Sequence, residues 1–152
     1  MTTIHLITKI KAPIQTVFDL SRNIDIHKLS TAKSNEKAIA GVTGGMINLN
    51  ETVTFKGKHF GIYLKHQSKI TEMENPDYFV DEMIKGYFKF FRHEHSFVSQ
   101  NGTTAMIDFL QYETPLGIFG TLFDKLILKK HLTSFIEERN EFIKNLAEKN
   151  NC

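Results

Sequence analysis

The residues best suited to chemistry lie in one aromatic-rich stretch, residues 87–97, which contains His93 and His95. Side chains two positions apart in a β-strand share a face, so the two imidazoles are predicted to point the same way. Histidine changes its charge close to neutral pH, and a neighbouring carboxylate favours the charged form. A carboxylate that the fold brings beside these histidines would therefore complete an acid–base group.

A hairpin at Asn101-Gly102 supplies such a carboxylate. Asn-Gly between two strand patterns favours a two-residue turn, which pairs residue 100 with residue 103. Counting back from the turn places His95 opposite Asp108, with both side chains on one face. The same register pairs three further positions on that face, namely His93 with Leu110, Phe97 with Met106 and Phe91 with Tyr112. The face is predicted to point inward and to be apolar except for the histidines, one carboxylate and one tyrosine hydroxyl.

Three interpretations of the His95–Asp108 pair stay open. A structural pair would satisfy a buried charge and fix the strand register. A polar anchor would orient a hydrophobic ligand inside a cavity. An acid–base or metal-binding group is the third, because two histidines at i and i+2 with one carboxylate resemble a metal triad. The chain shows no other sign of a metal site and no Gly-rich phosphate, Ser or Cys nucleophile motif, so neither a metal nor a cofactor is expected.

The elements that position this face follow from a period of two along much of the chain. Strands are predicted at residues 4–11, 35–40, 47–55, 59–73, 78–84, 87–99 and 103–113. Two short helices are predicted after the first strand, one beginning at Pro13 and one covering residues 25–29. Turns are predicted at residues 56–58 and 75–77. In the long strand 59–73, the side chains predicted to share the buried face are Phe60, Ile62, Leu64, His66 and Ile70.

After Gly117 the period changes to that of a helix, predicted over about residues 120–148. Its apolar stripe comprises Leu122, Leu126, Leu132, Phe135, Ile136, Phe142, Ile143 and Leu146. A helix of about 28 residues is on the order of 40 Å long and must cross the whole domain. The sequence therefore predicts a single α+β domain over residues 1–152, in which a curved antiparallel sheet wraps around a long C-terminal helix.

Composition limits the classes of partner and the cellular location that are expected for this chain. The net charge is +2 with Lys and Arg scattered among acids, which argues against nucleic acid. No apolar run approaches the ~18 residues of a membrane span, and no signal peptide is expected, so integral membrane association is not predicted. The single cysteine, Cys152, cannot form an internal disulfide, which suits the cytoplasm. The 13 Phe residues indicate either a dense core or the walls of an apolar pocket.

Several segments together resemble a known superfamily. They are residues 10–14 with Val17-Phe18, Phe60-Gly61, residues 79–83, residues 86–97 with their His-x-His, Asp108, Tyr112 and residues 115–117. The chain resembles the START-related helix-grip superfamily called SRPBCC, which includes polyketide cyclase-like proteins, and within it a bacterial branch often labelled cell-division-inhibitor-like. Asp81 occupies a position of this pattern; Glu51 and Arg139 are further charged residues that could point inward.

The resemblance implies binding or transport of a small hydrophobic ligand, such as a lipid, an isoprenoid or a polyketide-like ring. One alternative is a cyclase- or dehydratase-type enzyme in which His95, polarised by Asp108, acts as acid or base. Another is a protein-interaction module without a cavity. For a ligand between sheet and helix, the candidate binding residues are Phe60, Ile62, Leu64, Phe91, His93, His95, Phe97, Met106, Asp108, Leu110, Tyr112, Leu122, Leu126 and Phe135.

Overall fold

One curved sheet of seven antiparallel strands forms the body of the protein, seen in a computed structural model that describes residues 1–151. Cys152, with its expected lack of a disulfide, lies outside the described residues. The strands are β1 Thr2–Ile10, β2 Lys37–Gly41, β3 Thr52–His59, β4 Ile62–Glu74, β5 Tyr78–Lys85, β6 Phe90–Gln100 and β7 Thr103–Glu113. Their order across the sheet is β1-β7-β6-β5-β4-β3-β2. Bulges in the β2–β3 and β4–β5 pairings bend the sheet, because an extra residue on one strand kinks it locally.

Helices cover the concave side. Two short ones, α1 Ile14–Ser21 and α2 Ile24–Ser30, follow the first strand as predicted. Asn23 caps α2 by accepting hydrogen bonds from two backbone amides of its first turn. The C-terminal helix is continuous over 34 residues and consists of α3 Gly117–Phe123, a π-helical turn Asp124–Leu128 and α4 Lys129–Asn150. The α+β helix-grip architecture predicted from the sequence is thus confirmed.

The predicted turn at residues 56–58 is wrong. Strand β3 begins at Thr52, later than expected, and runs through residues 56–58 to His59. The chain reverses instead at Phe60-Gly61, both in the left-handed region with φ of 52° and 79°. Gly57 serves a different purpose, because a Cβ at this position would collide with the carboxylate of Glu36. The glycine lets a charged side chain approach the sheet rather than letting the backbone turn.

A packed core fills one end of the space between sheet and helices. Phe18 of α1 is fully buried and makes edge-to-face contacts with Phe79 and Phe97, with ring centroids 5.7 and 5.4 Å apart. Met106 and Ile143 close the same cluster from β7 and α4. Phe97 and Met106, expected on a cavity wall, are therefore part of the solid core. A second buried cluster lies nearer the start of the C-terminal helix, around Tyr112 and Ile136.

Candidate functional site

A cavity of about 230 Å³ lies between the concave face of the sheet and the C-terminal helix. Most of its walls are aliphatic and aromatic. The apolar lining includes Val53, Phe55, Leu64, Ile70, Phe79, Phe88, Phe91, Leu110, Leu128, Leu132, Phe135 and Ile136. The inward faces of β3 to β7 supply one wall and the C-terminal helix supplies the opposite one, because both periodicities bring their apolar positions to this space.

Six of the seven histidines of the chain line this one cavity. They are His27, His59, His66, His93, His95 and His131. They come from α2, β3, β4, β6 and the C-terminal helix. The strand period brings His93 and His95 together, and the tertiary structure brings the other four to them. The polar lining is therefore imidazole-rich and divides into two hydrogen-bonded groups.

The first group is centred on the β6–β7 hairpin. His95 pairs with Asp108 in the ladder, in the register that the Asn101-Gly102 turn predicts. His95 Nδ1 lies 3.1 Å from Asp108 Oδ1, but off the hydrogen-bonding direction. His93 Nε2 makes the direct hydrogen bond to Asp108 Oδ1, at 2.9 Å. The carboxylate that the turn places opposite one histidine thus serves both.

A second carboxylate joins this group from β5. Asp81 pairs with His93 in the β5–β6 ladder, and its Oδ2 lies 2.9 Å from Nε2 of His95. Ser68 links Asp81 to His66, since its hydroxyl is 2.9 Å from His66 Nε2 and 3.4 Å from Asp81 Oδ1. His95 therefore has a carboxylate beside each ring nitrogen. The sequence pattern gave Asp81 a motif position but no partner.

Asp108 is completely buried and stands behind the cavity wall. Asn140 of α4 donates a hydrogen bond of 2.5 Å to its Oδ2. The guanidinium of Arg139 lies 3.8 Å from its Oδ1 and also donates to the backbone carbonyl of Ser21 at 3.0 Å. The long helix thus contributes polar side chains as well as apolar ones, and Arg139 points inward.

The charge distribution in this group follows from burial set against hydrogen bonding. Burial would raise the pKa of Asp108, but the hydrogen bond from His93 and the adjacent imidazole of His95 outweigh it and hold the pKa well below its usual range. Burial would also raise the pKa of Asp81, but the hydrogen bond from His95 and the nearby His93 outweigh it and lower the pKa to about 2. Burial would lower the pKa of His95, but the carboxylates of Asp108 and Asp81 outweigh it and raise the pKa. Burial and the neighbouring charge of His95 lower the pKa of His93. The two carboxylates thus favour the charged form of His95, while burial and His95 itself favour the neutral form of His93.

The second group lies where α4 faces β3. His59 bridges Glu36 and His131, with its ring nitrogens 3.0 Å from Glu36 Oε1 and 3.0 Å from His131 Nε2. Phe60 packs on the His131 ring, with centroids 4.6 Å apart. Burial and the nearby His59 lower the pKa of His131. This group depends on Gly57, which leaves the space that the Glu36 carboxylate occupies.

His27, which lines the cavity, should make the stability of the protein depend on pH. Its ring packs on Phe55, and burial together with the Arg139 charge lowers its pKa from 6.5 to about 4. The unfolded chain therefore takes up this proton first as the pH falls, so the stabilising contribution is lost between about pH 6.5 and 4. Between pH 7 and 5, His27 should account for a loss of about 2 kcal/mol in the free energy of unfolding. Denaturant titrations of wild type, His27→Phe and His27→Gln at both pH values measure this loss, which both variants should lack; an unchanged pH dependence in the variants would contradict it.

The predicted binding residues fall into three places. Phe60, Leu64, Phe91, Leu110, Phe135 and the two histidines line the cavity. Phe97, Met106, Asp108 and Tyr112 are buried behind the lining. Ile62, Leu122 and Leu126 are exposed, so their expected place on the cavity wall is wrong. Ile62 is exposed because it follows the Phe60-Gly61 reversal at the rim of the sheet. Glu51, which could have pointed inward, bonds the backbone amide of Asn48 in the loop before β3.

The π-helical turn explains why Leu122 and Leu126 are exposed. In a π-helix the hydrogen bond spans one residue more than in an α-helix, which rotates the residues before it relative to those after it. Asp124 and Leu128, four residues apart, are consequently the buried positions of this turn. Asp124 accepts a hydrogen bond of 2.5 Å from the Tyr112 hydroxyl and another from Thr2. This bonding fixes Asp124 against the sheet and turns Leu122 and Leu126 outward.

The donor set of the first group also bears on metal binding. One ligand atom from each of Asp81, His93 and His95 lies within 4.8 Å of the other two, so these residues could hold an ion. Binding an ion through the nitrogens now in use would break the His95–Asp81 and His93–Asp108 hydrogen bonds. As they stand, these bonds occupy Nε2 of both histidines, while the buried Nδ1 of His95 has no hydrogen-bond partner among the described residues.

Comparisons with known proteins find the same architecture in several solved structures. No family model and no curated protein matches the chain. Solved structures do: a START superfamily protein from Mycobacterium smegmatis is 12% identical, with 97% of each chain covered and a TM-score of 0.71. Ginseng major latex-like protein 151 from Panax ginseng is 12% identical, with 96% and 97% covered and a TM-score of 0.70. The chain has the START-like, or SRPBCC, fold.

A third match is the di-domain ARO/CYC StfQ from the steffimycin biosynthetic pathway, at 11% identity and a TM-score of 0.77. The alignment covers 98% of this chain and 51% of StfQ. At these identities the likeness is one of fold. None of the helices within residues 1–151 is both long enough and apolar enough to cross a membrane.

Proposed function

We propose that this SRPBCC-fold chain is a single cytoplasmic domain that binds or transports a small hydrophobic molecule in the cavity between sheet and C-terminal helix. The observation that carries the proposal is the cavity itself, about 230 Å³ with mostly apolar walls. Protein interiors are otherwise packed like organic crystals, with few voids larger than a water molecule. A space many times that of one water, with mostly apolar walls, is suited to a largely apolar guest.

The polar lining supports a guest with a few hydrogen-bonding atoms. His93 and His95 line one wall, fixed by Asp108 and Asp81 behind them, and His59 and His131 line another region. Apolar walls give affinity, while a small number of placed polar groups give orientation. A lipid, isoprenoid or polyketide-like ring with an oxygen function fits this description. The cavity argues against the alternative of an interaction module with a filled core.

Filling the cavity tests the proposal. Leu132 lines the cavity from α4, so Leu132→Trp should reduce the affinity for a hydrophobic fluorescent probe, anilinonaphthalene sulfonate, at least tenfold. Leu29→Trp is the matched control, because Leu29 is exposed on α2 and adds the same indole away from the cavity. Equal affinity of both variants would refute the proposal. Mass spectrometry of organic extracts from freshly purified protein then identifies the natural guest.

An acid–base enzyme is the second candidate. It is favoured by the arrangement of His95 between two carboxylates, which raise the pKa of its imidazole and so favour the proton-carrying form that a general acid needs. If the chain is an enzyme of the cyclase or dehydratase type, the guest should be recovered with its mass or its bonding changed. His95→Gln should then abolish the conversion and retain the guest. Recovery of an unchanged guest from wild type would contradict the enzyme and support a binding protein.

A further inference from the structure

The first third of the C-terminal helix, residues 117–128, exposes an unusual amount of apolar surface. Its two most exposed apolar side chains are Ile118 at 85% and Phe119 at 81%. The exposed large side chains of residues 116–128 are Leu116, Ile118, Phe119, Leu122, Phe123, Leu126 and Ile127. Only Gly120, Asp124 and Leu128 of residues 117–128 are buried, so about half of the helix circumference is apolar and open. A patch of this kind on a protein surface marks an interaction site.

Two loops extend this surface. The β3–β4 reversal exposes Phe60, and its ring contacts Phe123 of the helix with centroids 5.4 Å apart. Next to the reversal, Ile62 and Tyr63 are exposed as well. The loop between β5 and β6 exposes Tyr87. We call these three segments, residues 56–65, 84–90 and 116–130, the apolar rim.

The apolar rim surrounds the entrance of the cavity. Among the residues that line the cavity, the exposed ones are Phe60, Lys65 and Tyr87, and all three belong to the rim. The helix completes the border through Leu128, which lines the cavity, and Phe123, which contacts Phe60. A surface that covers the rim would therefore also cover the entrance.

The charges of the apolar rim have one sign at its surface. The rim holds eight lysines, which are Lys56, Lys58, Lys65, Lys85, Lys89, Lys125, Lys129 and Lys130. Its single acid, Asp124, is buried and hydrogen-bonded to Tyr112. Because the whole chain has a net charge of only +2, the remainder is acidic overall. Both the positive charge and the exposed apolar area are thus concentrated at the entrance.

We propose that the apolar rim docks on an anionic lipid bilayer, with the cavity entrance facing the lipid. An anionic bilayer is the partner because its charge is complementary to that of the rim. Apolar side chains of the rim would enter the boundary between headgroups and acyl chains, while the surrounding lysines would attract anionic headgroups. The lysine stems can lie along the apolar boundary with their ammonium groups at the headgroups. The docking site stands independently of the cavity's ligand, although it would give a hydrophobic guest a direct route between bilayer and cavity.

Sedimentation with vesicles tests the docking. The full chain should sediment with vesicles containing phosphatidylglycerol, and binding to phosphatidylcholine vesicles alone should be at least tenfold weaker. Ile118→Ser/Phe119→Ser should reduce binding to the anionic vesicles at least tenfold. The matched control is Ile7→Ser/Leu29→Ser, which removes two exposed apolar side chains outside the rim and should bind like wild type. Lys129→Glu/Lys130→Glu should weaken binding and reduce its dependence on salt.

Three results would overturn the proposal. They are wild-type protein that stays in the supernatant, rim variants that bind like wild type, and a wild-type dimer that Ile118→Ser/Phe119→Ser converts to a monomer. The dimer, measured by light scattering, would show that a second copy covers the rim. Thermal melting confirms that each variant is folded. Probe binding in the absence of vesicles, measured on the same samples, reports on the cavity separately, so failure of docking and failure of ligand binding remain distinguishable.

Discussion

Asp108→Ala is expected to lower the free energy of unfolding by about 3–5 kcal/mol. Asp108 is completely buried and is the common acceptor for His93 and Asn140, with His95 and Arg139 beside it. Alanine removes the acceptor and leaves those buried donors in place, which costs more than the bonds themselves contribute. Chemical denaturation at neutral pH measures the loss.

Two further variants make this result specific. Asp108→Asn keeps the shape but not the charge, and should cost about 1–3 kcal/mol. Glu94→Ala removes a carboxylate from the outer face of the same hairpin, where it pairs with Arg92, and should cost less than about 1 kcal/mol. A loss from Asp108→Ala no larger than that of Glu94→Ala would disprove the structural role.

The same variants report on protonation. Because the raised pKa of His95 depends on Asp108 and Asp81, Asp108→Asn should lower it, as followed by NMR titration of the imidazole. The stabilisation from His95 is present below its unfolded pKa and is lost as the pH rises through its folded pKa. Asp108→Asn should therefore flatten this part of the stability profile. If the profile is unchanged while probe binding weakens, the pair acts on the ligand rather than on the fold.

Asp124→Ala is expected to cost about 2–4 kcal/mol, because it leaves the buried hydroxyl of Tyr112 and the hydroxyl of Thr2 without their acceptor. Tyr112→Phe removes only one of the two bonds and should cost about half as much. Lys125→Ala is the matched control, since Lys125 is the exposed neighbour in the same π-helical turn and should change stability by less than about 0.5 kcal/mol. Thermal or chemical unfolding gives all three values.

A structural readout accompanies this prediction. If the Tyr112–Asp124 bond holds the π-helical turn against the sheet, hydrogen exchange in residues 117–128 should rise in Asp124→Ala and less so in Tyr112→Phe. Equal exchange in wild type and Asp124→Ala would show that packing alone fixes the turn. Because this turn orients the apolar rim, the stability measurement also bears on how the rim is presented.

The sequence by itself determined the order of elements and one exact register. Alternation with a period of two, followed by a period of 3.6, is a property of neighbouring residues, so the strands, the short helices and the long helix could be predicted. The Asn101-Gly102 turn is equally local, and it placed His95 opposite Asp108 without knowledge of the rest of the fold. Residues close in sequence settled both.

Only the tertiary structure decided which other groups complete the site. Asp81 reaches His95 across the β5–β6 ladder, where no tight turn fixes the pairing. Gly57 looks like a turn residue in the sequence but makes room for Glu36, which comes from a different part of the chain. Five elements bring the six histidines to one cavity.

The tertiary structure also determined which face of the long helix is buried. Uniform helical spacing places Leu122 and Leu126 inside, but the π-helical turn shifts the phase and places Asp124 against Tyr112 instead. A local pattern carries the spacing of residues along one element. It does not carry the hydrogen bond from a distant strand that makes a polar residue favourable inside and leaves apolar ones at the surface, because that free energy depends on a partner the pattern does not contain.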